Sequence, residues 1–224
     1  MLLVLFGGLV VHYGNSLVSP PRRALQDYHQ DWLGDSASHG IRTERSSTIA
    51  QIPYLHVEPD PTGGLSPRGQ LLREQLSEQG HRLQPFGEMQ GTLVLFHGRK
   101  GRKEDMLPIA ERFCAVGLRC LIPDLPAHGE HPDSKVLFGA GPEEGDLARH
   151  VLEAASLDDG WQAQPAAVWG MSMGGSFVAR SLQEHPEVWS CGVIVSSFDH
   201  LPGVLQDQAE KRVPAGASLF ARGV

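Results

Sequence analysis

Residues 166–175 read AAVWGMSMGG: a short apolar run, a glycine, a serine at position 172 and two further glycines. The run AAVW has the character of a buried strand, and residues 174–183 continue with helical spacing. The pattern G-x-S-x-G, from Gly170 to Gly174, therefore falls at a strand-to-helix junction. A turn that tight crowds the residues two before and two after the serine, so Gly170 and Gly174 must lack side chains. The serine then stands above the end of its strand, beside a helix N-terminus whose unsatisfied N–H groups favour negative charge. Ser172 is a candidate nucleophile. The competing reading is a glycine-rich turn that only packs a helix against a strand.

Outward from this turn the pattern repeats. TLVLF (92–96), LRCLI (118–122) and CGVIV (191–195) are short continuous apolar runs, the mark of strands buried on both faces. Residues 105–116 carry a helical stripe of Met106, Ile109, Phe113 and Val116 that Gly117 ends, and 141–155 carry a second. Strands alternating with helices of this length require βαβ crossovers, which predicts an α/β fold with a doubly wound, mostly parallel sheet. Upstream, residues 22–33 have helical spacing, 49–57 read as extended, and Ser66-Pro67 cap a helix that stops near Gly80. The chain divides into an apolar segment (1–21), a helix-and-strand extension (22–90), a core (91–200) and a tail (201–224).

Composition narrows the function. The 224 residues carry a formal charge of -7, which argues against a nucleic-acid partner. Cys114, Cys120 and Cys191 are an odd count in apolar segments and read as reduced core residues. No G-x-G-x-x-G follows a strand, so no dinucleotide site is expected, and no other cofactor. Asp124, His128, His131 and Asp133 resemble a metal cluster superficially, but loop structure accounts for them better and no metal is expected. Residues 1–11, MLLVLFGGLVV, are too short to span a bilayer. They read as a secretory signal or anchor in contact with a membrane, or else as an extra strand, a docked tail or sequence upstream of the true start. The cytoplasm is the preferred compartment, with secretion or membrane anchoring as the alternatives.

Three landmarks carry a family resemblance: Leu95-Phe96-His97-Gly98 at a strand end, Asp124-Leu125-Pro126-Ala127-His128-Gly129 after the next strand, and Gly170 to Gly175. In order and spacing, over about residues 91–199, they resemble the α/β-hydrolase superfamily and its serine esterase, lysophospholipase and monoglyceride-lipase branch. Ala127 departs from that branch's usual glycine. The resemblance implies an acyl-enzyme on Ser172, formed from a small carboxylic ester or thioester. It implies oxyanion donors at the backbone N–H groups of Arg99 and Met173, with His97 and Gly98 as the structural turn that holds the first.

A serine hydroxyl needs a base, and the base an orienting acid. In the superfamily both follow the serine in sequence, on loops after later strands. After Val195 there is no further strand-like run, which reads as a chain truncated before the last strands and the histidine loop, or as the start of a lid from Leu201. Asp199 and His200 are the candidate acid and base, although adjacent side chains on an extended segment point apart. The missing base leaves a second reading open: a non-catalytic domain that binds a ligand or partner through the same pocket. Arg99, Lys100, Arg102 and Lys103 place four cations in five residues, as a solvated loop or as a rim that attracts an anionic substrate.

Overall fold

The computed structural model describes residues 14–48, 50–161, 163–198 and 203. Its elements in chain order are α1 (Asp27–Gly34), β1 (Ile41–Ser47), β2 (Pro53–Pro59), α2 (Pro67–Glu78), β3 (Gly91–Phe96), α3 (Leu107–Cys114), β4 (Leu118–Pro123), α4 (Leu147–Asp159), β5 (Ala166–Met171), α5 (Met173–Glu184) and β6 (Cys191–Val195). The strands form one six-stranded sheet in the order β1-β2-β4-β3-β5-β6. Strands β4, β3, β5 and β6 are parallel, while β2 pairs antiparallel with both β1 and β4.

Strand β3 shows why the sheet is covered on both faces. Every residue of it is buried, and its side chains alternate between two cores. Val94 and Phe96 pack with Val151 of α4 and Phe177 of α5. Leu93 and Leu95 pack with Leu107, Ala110 and Cys114 of α3. Helices on both faces of a parallel sheet make the doubly wound α/β architecture that the alternation predicts. At the start of α2, Ser66 Oγ accepts the Gly69 N–H at 3.0 Å, the cap expected of a Ser-Pro pair.

Several elements differ from their reading in the sequence. Residues 22–90 contribute β1 and β2, two of the six strands, to the same sheet as the core. The helix expected from residue 22 begins at Asp27, and the preceding arginines are drawn into contacts with other loops. The helix expected from residue 141 begins at Leu147. There the Glu144 carboxylate accepts the N–H groups of Leu137 and Gly139, each at 2.7 Å, and holds the connection as a loop. Cys114 and Cys120 are buried, but Cys191 is exposed. It lies on β6, a sheet edge on which Cys191 to Ile194 are all exposed. Calls on residues 1–11, 201–202 and 204–224 lie outside the described residues. Among the described residues no helix is long and apolar enough to cross a membrane.

Candidate active site

Parallel strands bring their carboxyl ends to one edge of the sheet, where the loops after β3, β4 and β5 meet. At the end of β5 the chain reverses through Ser172, whose backbone lies at φ 51° and ψ -120°. A non-glycine residue in that region costs about 1–3 kcal/mol and persists only where its surroundings impose it. Here they do. A Cβ on Gly170 would lie 2.3 Å from the Gly174 carbonyl oxygen, and one on Gly174 would lie 2.6 Å from that of Phe96. The elbow thus presses directly against the end of β3. The Ser172 N–H donates to Val195 O at 2.9 Å, and its carbonyl accepts the Gly175 N–H at 3.0 Å. The Ser197 hydroxyl donates to the same carbonyl at 2.7 Å. Nothing in the sequence singles out Ser197, because a loop hydroxyl is too common a residue to carry a signal.

The turn after β3 approaches from the other side. A Cβ on Gly98 would lie 3.5 Å from Ser172 Cβ, so His97-Gly98-Arg99 runs alongside the serine. Its conformation is set by one imidazole. His97 Nε2 accepts the Leu125 N–H at 3.1 Å, which leaves the proton on Nδ1, and Nδ1–H donates to Gly98 O at 2.8 Å. The Gly101 N–H reaches the same oxygen at 3.0 Å. Burial pushes the His97 pKa down and keeps the ring neutral, as this pattern requires. In a trans peptide C=O and N–H point in opposite directions. With the Gly98 carbonyl aimed at His97, the Arg99 N–H faces the other way.

The loop after β4 braces that histidine. The Asp124 carboxylate is fully buried and accepts the Lys103 N–H at 2.8 Å, Lys103 Nζ at 2.7 Å and the Glu130 N–H at 2.9 Å. Burial pushes its pKa up, but the Lys103 ammonium and these donors outweigh burial and hold it below the usual carboxylate range. Ala127, which stands where the branch usually has glycine, lies at φ 64°, a backbone region that glycine enters without strain. His128 Nδ1–H donates to Pro126 O at 2.8 Å, and burial takes its pKa down to about 4. His131 Nδ1 accepts the Asp133 N–H at 3.1 Å. These side chains serve the loop's own backbone.

The basic run divides into buried and exposed members. Lys103 is buried among Asp124, Glu130 and Glu104, and Arg102 is buried with its Nε on Glu104. The Arg99 guanidinium donates to Ser16 O at 2.9 Å. Lys100 is exposed. The charges of Arg102 and Lys103 are matched inside the protein by neighbouring Glu104 and by Asp124 and Glu130, which lie apart in sequence.

Ser172, Met173, Gly170 and Gly174 are therefore brought together with His97, Gly98 and Arg99. Asp199 and His200 lie outside the described residues. Among the described residues no histidine hydrogen-bonds the Ser172 hydroxyl; His185 pairs instead with Asp146 at 2.7 Å. Among the described residues there is also no group of three or more His, Cys, Asp or Glu side chains placed to hold a metal.

Residues 87–209, more than half of the chain, match the model of the Hydrolase_4 family, described as serine aminopeptidase, S33. The chain belongs to this α/β-hydrolase family. The chain is 28% identical over 120 residues to a thermostable monoacylglycerol lipase of Bacillus sp. (strain H-257). That match covers 50% of the chain and 42% of the lipase, so the aligned part spans under half of the relative's length. Among solved structures, the Pyrococcus furiosus esterase Pf2001 matches in two crystal forms with TM-scores of 0.58 and 0.59 at 19% identity. These matches cover 90% and 92% of the chain and 68% and 69% of the esterase. They extend the likeness in fold to the β1–β2 side of the sheet.

Proposed function

We propose that this protein is a serine hydrolase that cleaves a carboxylic ester or thioester through an acyl-enzyme on Ser172. The observation that carries the reading is the strained elbow at Ser172, with the Gly98 turn lying against the serine. Ser172 Oγ attacks the substrate carbonyl and passes its proton to a base, and the alcohol or thiol leaves with a proton as the acyl-enzyme forms. Water then attacks the acyl carbonyl, releases the acid and restores the serine. The negative charge of each tetrahedral intermediate falls between the Arg99 N–H, which points away from His97, and the Met173 N–H. Met173 is the first residue of α5, and its N–H is one of those that helix geometry leaves without an intrahelical partner. Loss of one such donor costs about 2.7–4 kcal/mol on the transition state. Asp199 and His200, which directly follow the described turn 196–198, are the candidate acid and base from the sequence.

The monoacylglycerol lipase relative supports a substrate with one acyl chain on a small alcohol. The test is labelling with a fluorophosphonate, which requires an activated serine, together with hydrolysis of short-chain esters. Ser172→Ala should abolish labelling and lower turnover by up to about 10⁶-fold. Equal turnover in the two proteins would sink the nucleophile assignment. Absence of labelling in the wild type would favour the second reading, a domain that binds a ligand in the same cleft without cleaving it.

A further inference from the structure

The first described residues do not trail away from the core. They cross the edge of the sheet where the β3 and β4 loops emerge, and they touch both loops. Ser16 O accepts the Arg99 guanidinium at 2.9 Å, and Val18 O accepts the Val136 N–H at 2.8 Å. Arg22 then points its guanidinium into the β4 loop. Nη1 reaches the carbonyl oxygens of His131 at 2.6 Å and Gly129 at 3.0 Å, and Nη2 reaches that of Asp133 at 2.7 Å. The next residue turns to the β3 loop. Arg23 Nη1 meets Asp105 Oδ1 at 2.9 Å, and Arg102 Nη1 donates back to Arg23 O at 3.2 Å.

Asp105 is the knot on that side. Its Oδ1 also accepts Tyr28 OH at 2.7 Å and the fully buried His29 Nε2–H at 2.8 Å. Its Oδ2 accepts the Arg102 N–H at 2.9 Å. His29 Nδ1 accepts the Gln26 N–H at 3.0 Å, which fixes the proton on Nε2 and points it at the carboxylate. One planar guanidinium serving several carbonyls, and one carboxylate with four donors, are geometries that a loosely laid tail does not sustain.

We propose that residues 16–29 form a strap that positions the Arg99 N–H of the Ser172 site, with Arg22 and Asp105 as its two fastenings. The mechanical path is continuous. Arg22 gathers the carbonyls of the β4 loop. That loop presents the Leu125 N–H to His97 Nε2, and His97 holds the Gly98 carbonyl and so aims the Arg99 N–H. Arg23 and His29 act from the other end, through Asp105 and the Arg102 N–H, on the turn that closes at Gly101. Ser16 meets the Arg99 side chain directly. Arg22 is a positioning residue, because its guanidinium acts on the β4 loop and through it on Arg99.

The inference rests on the hydrolase reading for its kinetic consequence but not for its structural one, so two measurements separate them. Competent sites are counted by fluorophosphonate titration, and turnover is expressed per titrated site, which removes any loss from unfolded protein. Arg22→Ala should lower kcat per site about tenfold and leave KM within about twofold, since the donor acts on the transition state. Arg22→Lys keeps the charge but not the fork and should recover only part of that loss. In parallel, hydrogen exchange at the Gly101, Arg102, Lys103 and Leu125 amides should speed up at least tenfold in Arg22→Ala, with protection in β5 and α5 unchanged.

Unchanged exchange at those four amides overturns the strap, whatever the activity. Faster exchange with unchanged turnover per site overturns its role in positioning. If the wild type neither labels nor hydrolyses, the hydrolase reading fails and exchange alone decides whether the strap fastens the two loops. If Arg22→Ala does not fold, Arg23→Ala, at the more exposed fastening, is read on the same measures and should show a smaller effect of the same sign.

Discussion

Strands β3 and β6 are written in nearly the same alphabet, GTLVLF and CGVIV, yet they live in opposite surroundings. Every residue of β3 is buried, with partner strands on both sides and helices on both faces. Among the described residues β6 pairs only with β5, and Val193 and Ile194 are 44% and 47% exposed. The opposite edge of the sheet, β1, is IRTERSS, and it meets solvent with charges such as Arg42, paired to Glu58 across the strand. Charged edges keep sheets from pairing with one another, whereas an apolar edge invites it. An apolar run therefore identifies a strand, but only its place in the sheet decides what the run contributes to stability.

That contrast is open to measurement. The largest effect is expected at β3. Phe96→Ala removes a fully buried ring from the core shared with Phe177 and should cost about 3–5 kcal/mol by denaturant unfolding. Val193→Ala in β6 should stay within about 0.5 kcal/mol, as surface substitutions do. Comparable losses at the two positions would erase the distinction between the strands.

Acid should act next, and on the β3 side. Burial disfavours the charged form of His128 and pushes its pKa down to about 4 in the folded protein, against 6.5 for a histidine in water. Between those values the unfolded chain binds the extra proton, so stability is full above pH 6.5 and falls as pH drops toward 4. The loss is ~3 kcal/mol over that window, with His97, lowered by the same cause, acting in the same direction. His128→Gln should flatten the slope. Asp124 shifts the other way, below the usual carboxylate range, so its contribution holds through this window and fails only in stronger acid. A stability profile level from pH 7 to pH 4 would contradict this account.

The smallest change in folding energy is expected at the edge itself. Ile194→Lys should leave cooperative unfolding nearly unaltered while lowering the weight-average mass in sedimentation at high concentration. If the substitution leaves self-association unaffected, the exposed edge is not what brings molecules together.

The parts legible in the sequence were those set by local rules. Periodicity located β3, β4, β5, α5 and β6, and Ser66-Pro67 located a helix start, because strand burial and capping are properties of neighbouring residues. The elbow at Ser172 was legible for the same reason, since it needs only Gly170 and Gly174 close by. β1 was missed because a charged edge strand has no apolar alternation to detect. The use of Arg102 and Lys103 was hidden because two of their acids, Asp124 and Glu130, lie more than twenty residues away along the chain. The exposure of Cys191 follows from sheet order, which no short window contains.

The Arg22 fork also sets a schedule. It joins a residue near one end of the chain to carbonyls 106 to 111 positions later. A contact of that span closes a long loop and comes after the local strands and crossovers have formed. The sheet can therefore assemble before the edge that holds Ser172 is fastened. On unfolding the order reverses, so the edge that holds Ser172 is fastened late and released early.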